Sequence, residues 1–327
     1  MIKKLHKIQI GDPRSVTVLL VGCGGTGSFA ALNLARLAVA NPAYDIRLVF
    51  VDPDHVEPKN IGRQYFCPAD VGQPKAAVLA HRLSLAFGLA ITPVVRRFCP
   101  TMLVEYLGEN YFRDELLLVI GCVDTPAARR EIYFGVETIA AQLTKRQHVW
   151  WIDAGNDRWT GQVLIGNSSQ REPVLTTFGE CTGLPWPSLQ EPGLLAEPDP
   201  EQVIDERDLS CAELVMAGEQ ARPINYMMAA WIDVYVERLV IRHDLNLMGT
   251  YVSQRNGTAH SKLIDHGRVV DSSTGSGRGA ESAPAYMLTE DGPRELERCP
   301  SCGVGVVVYG VDEIEGLGME DIVFCPA

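Results

Sequence analysis

Short apolar runs alternate with helical patterns in the first half of the chain. The runs predicted to be strands are Val16–Gly22, Asp45–Asp52, Leu116–Val123 and His148–Ala154. Apolar positions at helical spacing predict helices over Gly27–Ala40 and Lys75–Phe87. This alternation predicts an α/β fold with a doubly wound, Rossmann-like, mostly parallel sheet, whose ligand crevices lie at the carboxyl ends of the strands.

The pattern changes in the second half of the chain. From Thr160 to Cys211 the sequence is rich in proline and acidic residues, which predicts a long crossover loop without regular helix or strand. Helical periodicity returns after Pro223. Its apolar stripe, predicted to be core, is Ile224, Met227, Met228, Trp231, Val234, Leu239 and Val240. From Gly249 to Tyr286 the chain is first strand-like and then rich in serine and glycine, which is typical of a linker.

Composition and charge narrow the class of protein. The chain has 327 residues, 46% of them hydrophobic and 21% charged, which is typical of an ordinary soluble protein and argues against general disorder. A net charge of -12 argues against a nucleic-acid partner. The apolar run that follows the basic first residues is too short for a signal peptide or a membrane span, so we expect a cytoplasmic protein with no membrane partner.

The nine cysteines are scattered along the chain. An odd number without framework spacing favours metal binding or catalysis in a reducing compartment over a set of disulfides. Most of them are expected to be inert, because a buried free cysteine behaves as a small apolar residue.

A glycine motif follows the first predicted strand. Gly22, Gly24 and Gly27 match the G-x-G-x-x-G pattern, and Asp52 stands at the end of the next strand, where an acid can accept ribose hydroxyls. The motif alone does not choose between NAD, FAD and ATP, because each has phosphates that suit a helix N-terminus.

Residues downstream of the motif favour a reaction in which phosphate leaves. Asn60, Arg63 and Gln64 follow Asp52 closely, and Lys75 comes soon after. Such groups suit negative charge that shifts onto departing pyrophosphate. A further strand ends near Asp124, a carboxylate suited to Mg²⁺. The alternative is that Arg63, Lys75 and Asp124 are unrelated surface charges.

Five consecutive motifs resemble those of the E1-like activating enzymes. This family includes the ThiF and molybdopterin-synthase adenylyltransferases and the ubiquitin-activating enzymes. The motifs are Gly22–Ser28, Asp52–Val56, Asn60–Gln64, Gly72–Ala76 and Val123–Thr125. The resemblance implies ATP, with Asp52 on the ribose and Asp124 on Mg²⁺. It places Asn60, Arg63 and Lys75 on the phosphates, the last two as catalytic residues. The nucleotide-binding set expected from the resemblance is Gly22, Gly24, Gly25, Gly27, Ser28, Asp52, Asp54, Asn60, Arg63, Gln64, Lys75 and Asp124.

A second, looser resemblance lies around Cys211. The stretch LSCAEL resembles the crossover cysteine of that family, and its surroundings resemble ThiF-like proteins of PRTRC plasmid systems and bacterial ubiquitin-like (Bil-type) operons. The resemblance implies a small ubiquitin-like partner with a C-terminal glycine tail, an E2-like partner and a homodimer.

We predict that Cys211 carries a thioester, since it precedes a helical segment whose N–H groups would lower the pKa of its thiol. Cys181, in GECTG, is the alternative thiol. Cys211 as a buried residue at a helix start, without chemistry, is the other interpretation.

The end of the chain contains half of a zinc ribbon. Cys299 and Cys302 form a CxxC pair, and tetrahedral Zn²⁺ takes two thiolates from such a turn. Cys181 and Cys325 are candidates for the other two ligands. A metal-free reducible pair and a degenerated site are the alternatives.

The leading hypothesis is an enzyme that adenylates the C-terminus of a ubiquitin-like protein and then forms a thioester for transfer to an E2-like protein. Alternatives are a sulfur-carrier adenylyltransferase, an NAD-dependent dehydrogenase and an inactive ThiF-like scaffold. We expect an ATP-binding half over residues 1–159, a crossover loop and following helix over 160–248, and a C-terminal extension over 249–327.

Overall fold

The computed structural model describes most of the first 264 residues and four later strands. The described ranges are 6–11, 13–106, 115–142, 149–157, 159–176, 180–196 and 221–264, and the backbone of 286–289, 292–295, 307–309 and 322–324. Cys211, Cys299, Cys302 and Cys325 lie outside them, so the predicted thioester and zinc ligands at these positions stay predictions.

The chain divides into two compact units, residues 1–271 and 272–327. The predicted boundaries after residues 159 and 248 both fall inside the first unit. The second unit has a four-stranded sheet in the order β12-β11-β13-β14. Its strands are β11 (Tyr286–Thr289), β12 (Gly292–Glu295), β13 (Val307–Tyr309) and β14 (Ile322–Phe324).

An eight-stranded sheet forms the centre of the first unit, in the order β10-β9-β6-β5-β4-β1-β2-β3. Its strands are β1 (Ser15–Val21), β2 (Asp45–Val51), β3 (Ile91–Val94), β4 (Glu115–Gly121), β5 (Val149–Asn156), β6 (Thr160–Gly166), β9 (Leu247–Ser253) and β10 (Thr258–Leu263). β1 to β5 are parallel, and β6, β9 and β10 continue the sheet antiparallel. Two short strands, β7 (Val174–Leu175) and β8 (Cys181–Gly183), pair separately.

Helices cover both faces of the sheet. They are α1 (Gly25–Ala40), α2 (Lys75–Phe87), α3 (Thr101–Glu105), α4 (Pro126–Gln142), α5 (Pro187–Gln190) and α6 (Ala221–Val236), which continues into a π-helical turn (Glu237–Ile241). Along β1, Val18 and Leu20 join one apolar cluster while Leu19 and Val21 join the other. Both faces of this central strand are therefore buried, and the predicted doubly wound α/β fold is confirmed.

The register of the parallel strands brings three strand ends to one edge. Val21 lies opposite Val51 on β2 and Gly121 on β4. The segments that follow β1, β2 and β4 therefore begin side by side at the carboxyl edge of the sheet, where this fold class binds its ligands. Among the described residues, no helix is long and apolar enough to cross a membrane.

The prediction of an irregular loop from Thr160 onward was wrong at its start. Val163, Leu164 and Ile165 are fully buried in β6, which pairs with both β5 and β9. The apolar run before the first proline of this region has the pattern of a buried strand, and the average composition of the longer region concealed it.

The predicted core stripe on α6 is confirmed in its main positions. Ile224, Met228, Leu239 and Val240 are fully buried or nearly so, and Met227 and Trp231 pack partly buried against the same core. The helix runs along α1, which it meets through the hydrogen bond from Asn33 Nδ2 to the carbonyl of Ala229 (3.2 Å).

Candidate functional site

The glycine turn, from the end of β1 through the first turn of α1, accepts only glycine at two positions. Gly22 has a φ of 92°, and a Cβ there would lie 2.5 Å from the carbonyl oxygen of Cys122. A Cβ at Gly27 would overlap the carbonyl oxygen of Gly22. By contrast, a Cβ at Gly24 would meet nothing closer than the Gln64 amide at 3.9 Å. The turn thus presents an open backbone at the N-terminus of α1, which is the usual setting for a phosphate.

Asp52, directly after β2, lies against this turn. Its Oδ2 accepts the backbone N–H of Cys23 (2.6 Å), and its Oδ1 accepts that of Asp54 (2.8 Å). Burial raises the pKa of Asp52, and the two backbone bonds and Lys75 oppose this increase. A carboxylate oxygen has lone pairs beyond one bond, so ribose hydroxyls can still donate to it.

Lys75 begins α2 and is buried with its ammonium group beside Asp52. Its Nζ lies 2.9 Å from Oδ2 of Asp54, whose side chain is 63% exposed, whereas the Lys75 side chain is only 8% exposed. Its charge lowers the pKa values of both Asp52 and Cys23, although burial raises each of them overall. A positive charge therefore lies next to the glycine turn, paired with a partner that solvent reaches.

A loop after β2 carries the other predicted polar groups. Asn60 is buried, and its Oδ1 accepts the N–H of Glu57 (2.9 Å) while its carbonyl accepts the N–H groups of Arg63 and Gln64. Gln64 is buried with its Nε2 towards Gly24, and its Oε1 has no hydrogen-bond partner within the described part of the chain. Asn60 thus holds the loop in shape. The half-buried Arg63, on the same loop, has no ion-pair partner among the described residues.

The Ser28 hydroxyl makes contacts within the protein. It donates to the carbonyl of Gly25 (3.1 Å) and accepts the N–H of Tyr65 (3.0 Å). Ser28 is fully buried. Its contacts therefore join α1 to the loop that carries Arg63.

Asp124 is exposed on the segment between β4 and α4, at the same edge of the sheet. Among the described residues no group of three or more His, Cys, Asp or Glu side chains is placed to hold a metal ion. Mg²⁺ that arrives with a nucleotide needs only one or two carboxylates besides phosphate oxygens. Asp124 fits that kind of site.

Cys181 lies in the core. It has no exposed surface, and burial raises its pKa to about 11. Its backbone bonds with Lys7 and Gln9 fix β8 beside the N-terminal segment, and its Sγ donates to the carbonyl of Gly183 (3.2 Å). This environment suits a structural cysteine better than a nucleophile.

A buried ion pair that the sequence analysis missed lies near the carboxyl end of β5, where Asp153 is opposite Gly121 of β4. Nε of Arg129 is 3.2 Å from both carboxylate oxygens of Asp153, which has no exposed surface. Burial raises the pKa of Asp153 to about 6, against the influence of Arg129. The signal in the sequence was an acid inside an apolar strand, since such a charge needs a partner.

The same arginine lines a groove of about 520 Å³ beside the antiparallel part of the sheet. Gly155 and Gln162 line it from β5 and β6, and Tyr251 and Thr258 from β9 and β10. Leu194, from the segment that follows α5, also contributes. The groove is open to solvent, and most of the residues that line it are polar or glycine.

A second missed residue, Asn225 on α6, lies against the glycine turn. A Cβ at Gly25 would lie 2.5 Å from its Nδ2. Its sequence signal was weak, because an asparagine two residues after a proline is common at helix starts.

A family model connects this arrangement to known proteins: the model described as the ThiF family matches residues 6–252, about three quarters of the chain. The chain belongs to the ThiF family. The resemblance inferred from the glycine turn and the motifs after it is therefore confirmed.

Curated ThiF-type relatives match parts of the chain. The sulfur carrier protein ThiS adenylyltransferase of Escherichia coli is 31% identical over 54% of this chain and 60% of its own length. The molybdopterin-synthase adenylyltransferase of E. coli is 28% identical over 55% and 65%. Human ubiquitin-like modifier-activating enzyme 6 is 29% identical over 36% and 11%. The matches thus span only part of each relative.

Solved structures with a similar fold include PaaA and E. coli MccB. PaaA has a TM-score of 0.48 and 19% identity, with 77% of this chain and 65% of its own chain covered. MccB has a TM-score of 0.48 and 17% identity, with 81% and 67% covered.

Proposed function

We propose that this protein uses ATP to adenylate the C-terminal carboxylate of a small ubiquitin-like or sulfur-carrier protein. The observation that carries the proposal is the junction of the glycine turn, the buried carboxylate of Asp52 and the buried ammonium of Lys75, in a chain of the ThiF family. The turn suits phosphates, the carboxylate suits a ribose and the ammonium suits the charge that develops on pyrophosphate.

The reaction needs positioning and charge neutralisation more than acid–base chemistry. A carboxylate oxygen of the partner attacks the α-phosphorus of ATP, a bond to oxygen forms, and the bond to pyrophosphate breaks. The carboxylate is already ionised, so no protein base is required. Arg63 and Lys75 are proposed to stabilise the negative charge, with Asn60 beside them. Asp124 is proposed to hold Mg²⁺, which neutralises the phosphates.

The groove beside the antiparallel strands is the proposed path of the partner's tail. Its walls come from strands that expose backbone at Gly155 and Gly161, so an extended glycine-rich segment can approach closely. Leu194 lies in the crossover region that would cover this tail. Arg129, held by Asp153, provides a fixed donor on the wall.

After adenylation we propose that Cys211 attacks the acyl carbon, so that a thioester forms and AMP leaves. Transfer to an E2-like protein would follow. The resemblance of the Cys211 segment to ubiquitin-like conjugation systems supports this course, as does the burial of the competing thiol, Cys181. The homodimer, the E2-like partner and the Zn²⁺ site at Cys299 and Cys302 remain part of this proposal.

Sulfur-carrier activation is the second candidate. The E. coli relative that is named a sulfur carrier protein adenylyltransferase favours it. It shares the adenylation step and differs in the product, since a carrier thiocarboxylate replaces the thioester.

Partner-dependent ATP–pyrophosphate exchange tests the adenylation step. The partners to try are any small proteins with a C-terminal glycine tail that neighbouring genes encode, each with a variant that lacks its last two residues as the control. Exchange with the full-length partner alone is the expected result. Binding of NAD(H) in preference to ATP, or no exchange with any small protein encoded nearby, would overturn the proposal.

Mass spectrometry of the products separates the two candidates. A reducing-agent-sensitive adduct between this chain and its partner, lost in Cys211→Ala and kept in Cys181→Ala, supports thioester transfer. A carrier that gains sulfur in place of oxygen supports the sulfur-carrier alternative. An adduct kept in Cys211→Ala and lost in Cys181→Ala would show that the thioester lies on Cys181.

A further inference from the structure

Asn225 makes side-chain contacts with two segments that are far from it in sequence. It is 5% exposed and lies near the start of α6. Its Oδ1 accepts from Oγ1 of Thr26 (3.3 Å), in the first turn of α1. Its Nδ2 donates to the carbonyl of Arg63 (3.4 Å), in the loop after β2. One amide group thus joins the glycine turn to the cationic loop.

The contact with the turn is tight as well as polar. A Cβ at Gly25 would lie 2.5 Å from Nδ2, 2.8 Å from Cγ and 2.9 Å from Oδ1 of Asn225. Thr26 Oγ1 also lies 3.0 Å from Oδ1 of Asn156, at the end of β5. A hydroxyl has only one hydrogen to share between these two amide oxygens. The contact between α6 and the start of α1 therefore depends on the position of the Asn225 amide.

We propose that Asn225 is a positioning residue for the nucleotide phosphates, an inference that rests on the proposed function. By binding both segments it fixes the distance between the backbone amides that begin α1 and the loop that carries Arg63. These two groups of donors act on the same phosphates only if that distance is constant. A displacement of about 1 Å in such an arrangement costs on the order of a hundredfold in rate.

Asn33 provides a matched control for this proposal. Its Nδ2 donates to the carbonyl of Ala229 (3.2 Å), so it also joins α1 to α6, but two turns away from the glycine motif. Asn33→Ala and Asn225→Ala each remove one side-chain hydrogen bond between these two helices, and Asn225→Ala also removes the bond to the carbonyl of Arg63. A general loss of packing between the helices would affect both variants alike.

The test measures ATP–pyrophosphate exchange and melting temperature for both variants. We expect a lower Tm in both variants, with a KM for ATP raised at least about tenfold and a lower kcat in Asn225→Ala only. The kinetic constants of Asn33→Ala should stay within about twofold of the wild type. Equal kinetic losses in both variants, or wild-type kinetics in Asn225→Ala, would overturn the inference. If Asn225→Ala does not fold, the same measurements are made on Asn225→Ser, which retains a shorter polar group.

A double-mutant cycle with Gly25→Ala adds a readout of the contact itself. The new methyl group collides with the Asn225 amide in the wild-type background and finds space once that amide is removed. We therefore expect Gly25→Ala to raise the KM for ATP much less in the Asn225→Ala background than alone. Additive effects would contradict direct coupling. A wild-type protein that neither binds ATP nor exchanges pyrophosphate would overturn the proposed function and, with it, this inference.

Discussion

Arg129 and Asp153 form an ion pair whose carboxylate has no contact with solvent. The guanidinium Nε lies 3.2 Å from both oxygens of Asp153. Arg129 also lines the groove that we propose for the partner's tail. Because burial and not repulsion is the main cause of the raised pKa of Asp153, the pair makes folding depend on pH in a definite direction.

Stability should fall as the pH rises through the range in which Asp153 ionises. Its pKa is about 6 in the folded protein and 3.8 in its ordinary state. Between these values the folded state holds the proton that the unfolded state has lost, so raising the pH costs stability on the order of 3 kcal/mol by pH 7. Urea unfolding from pH 4 to 7 should show this decrease, and Asp153→Asn should remove it.

Asp157 serves as a control, because its pKa is shifted in the direction opposite to that of Asp153. Backbone bonds from Thr160 and Trp159 outweigh its partial burial and lower its pKa, so its contribution to stability is lost as the pH falls. Asp157→Asn should therefore leave the decrease between pH 4 and 6 in place. An unchanged decrease in Asp153→Asn would contradict our assignment.

Replacement of Lys75 by methionine should remove most of the adenylation activity. The buried ammonium lies beside Asp52 and is available to a phosphate if its exposed partner, Asp54, is displaced. Loss of one such group in an enclosed site lowers kcat about 10²- to 10³-fold. Lys59 pairs with Glu57 on the surface, 68% exposed, so Lys59→Met is the control and should keep its exchange rate. Comparable rates in the two variants would show that Lys75 does not act on the phosphates.

Gly27→Ala should destabilise the protein strongly. Its methyl group would overlap the carbonyl oxygen of Gly22, a backbone atom that moves only with the whole turn. We expect a loss of roughly 3 kcal/mol in the free energy of unfolding, measured by urea denaturation. At Gly193 a Cβ meets nothing within 4 Å, so Gly193→Ala should be neutral to within about 0.5 kcal/mol. A small loss in Gly27→Ala would mean that the turn is looser than the structure indicates.

A large side chain in the groove should block the partner and spare the nucleotide. Thr258 lines the groove from β10, whereas Leu263 lies at the other end of the same strand, 44% exposed and outside the groove lining. Thr258→Trp should raise the KM for the partner at least about tenfold and leave ATP affinity unchanged, since binding surfaces tolerate little lost complementarity. Leu263→Trp should change neither. If the two variants have the same KM for the partner, its tail does not pass through this groove.

Thiol labelling should separate the described cysteines by burial. Cys67 is exposed, whereas Cys181 is buried, and burial raises its pKa from the ordinary value of 9.0 to about 11. The thiolate fraction of Cys181 at pH 8 is therefore about a hundredfold lower than that of an ordinary thiol. The poor access of a reagent to the buried sulfur slows its labelling further. Iodoacetamide with peptide mapping should show Cys67 modified rapidly and Cys181 only after denaturation. Rapid labelling of Cys181 in the native protein would reopen its candidacy as the nucleophile.

Local patterns were enough to predict the parallel half of the fold. Helix α2 has the predicted bounds, Lys75–Phe87, and β1 and β2 differ from prediction by one residue at their ends. These elements combine an uninterrupted apolar pattern with a glycine or proline boundary, so neighbouring residues determine them. The antiparallel strand β6 was missed because its identity depends on β5 and β9, with which it pairs.

The sequence by itself determined the family, the glycine turn and the polar residues that follow the strand ends, because these are properties of short stretches. Only the tertiary structure decided which distant groups meet. Asn225 contacts a turn about 200 residues earlier, and Arg129 finds Asp153 on a neighbouring strand. The tertiary structure also placed Cys181 in the core, where desolvation raises the pKa of its thiol. Burial and long-range contacts depend on how helices and strands pack together. A local sequence pattern does not specify which distant residue a side chain will contact.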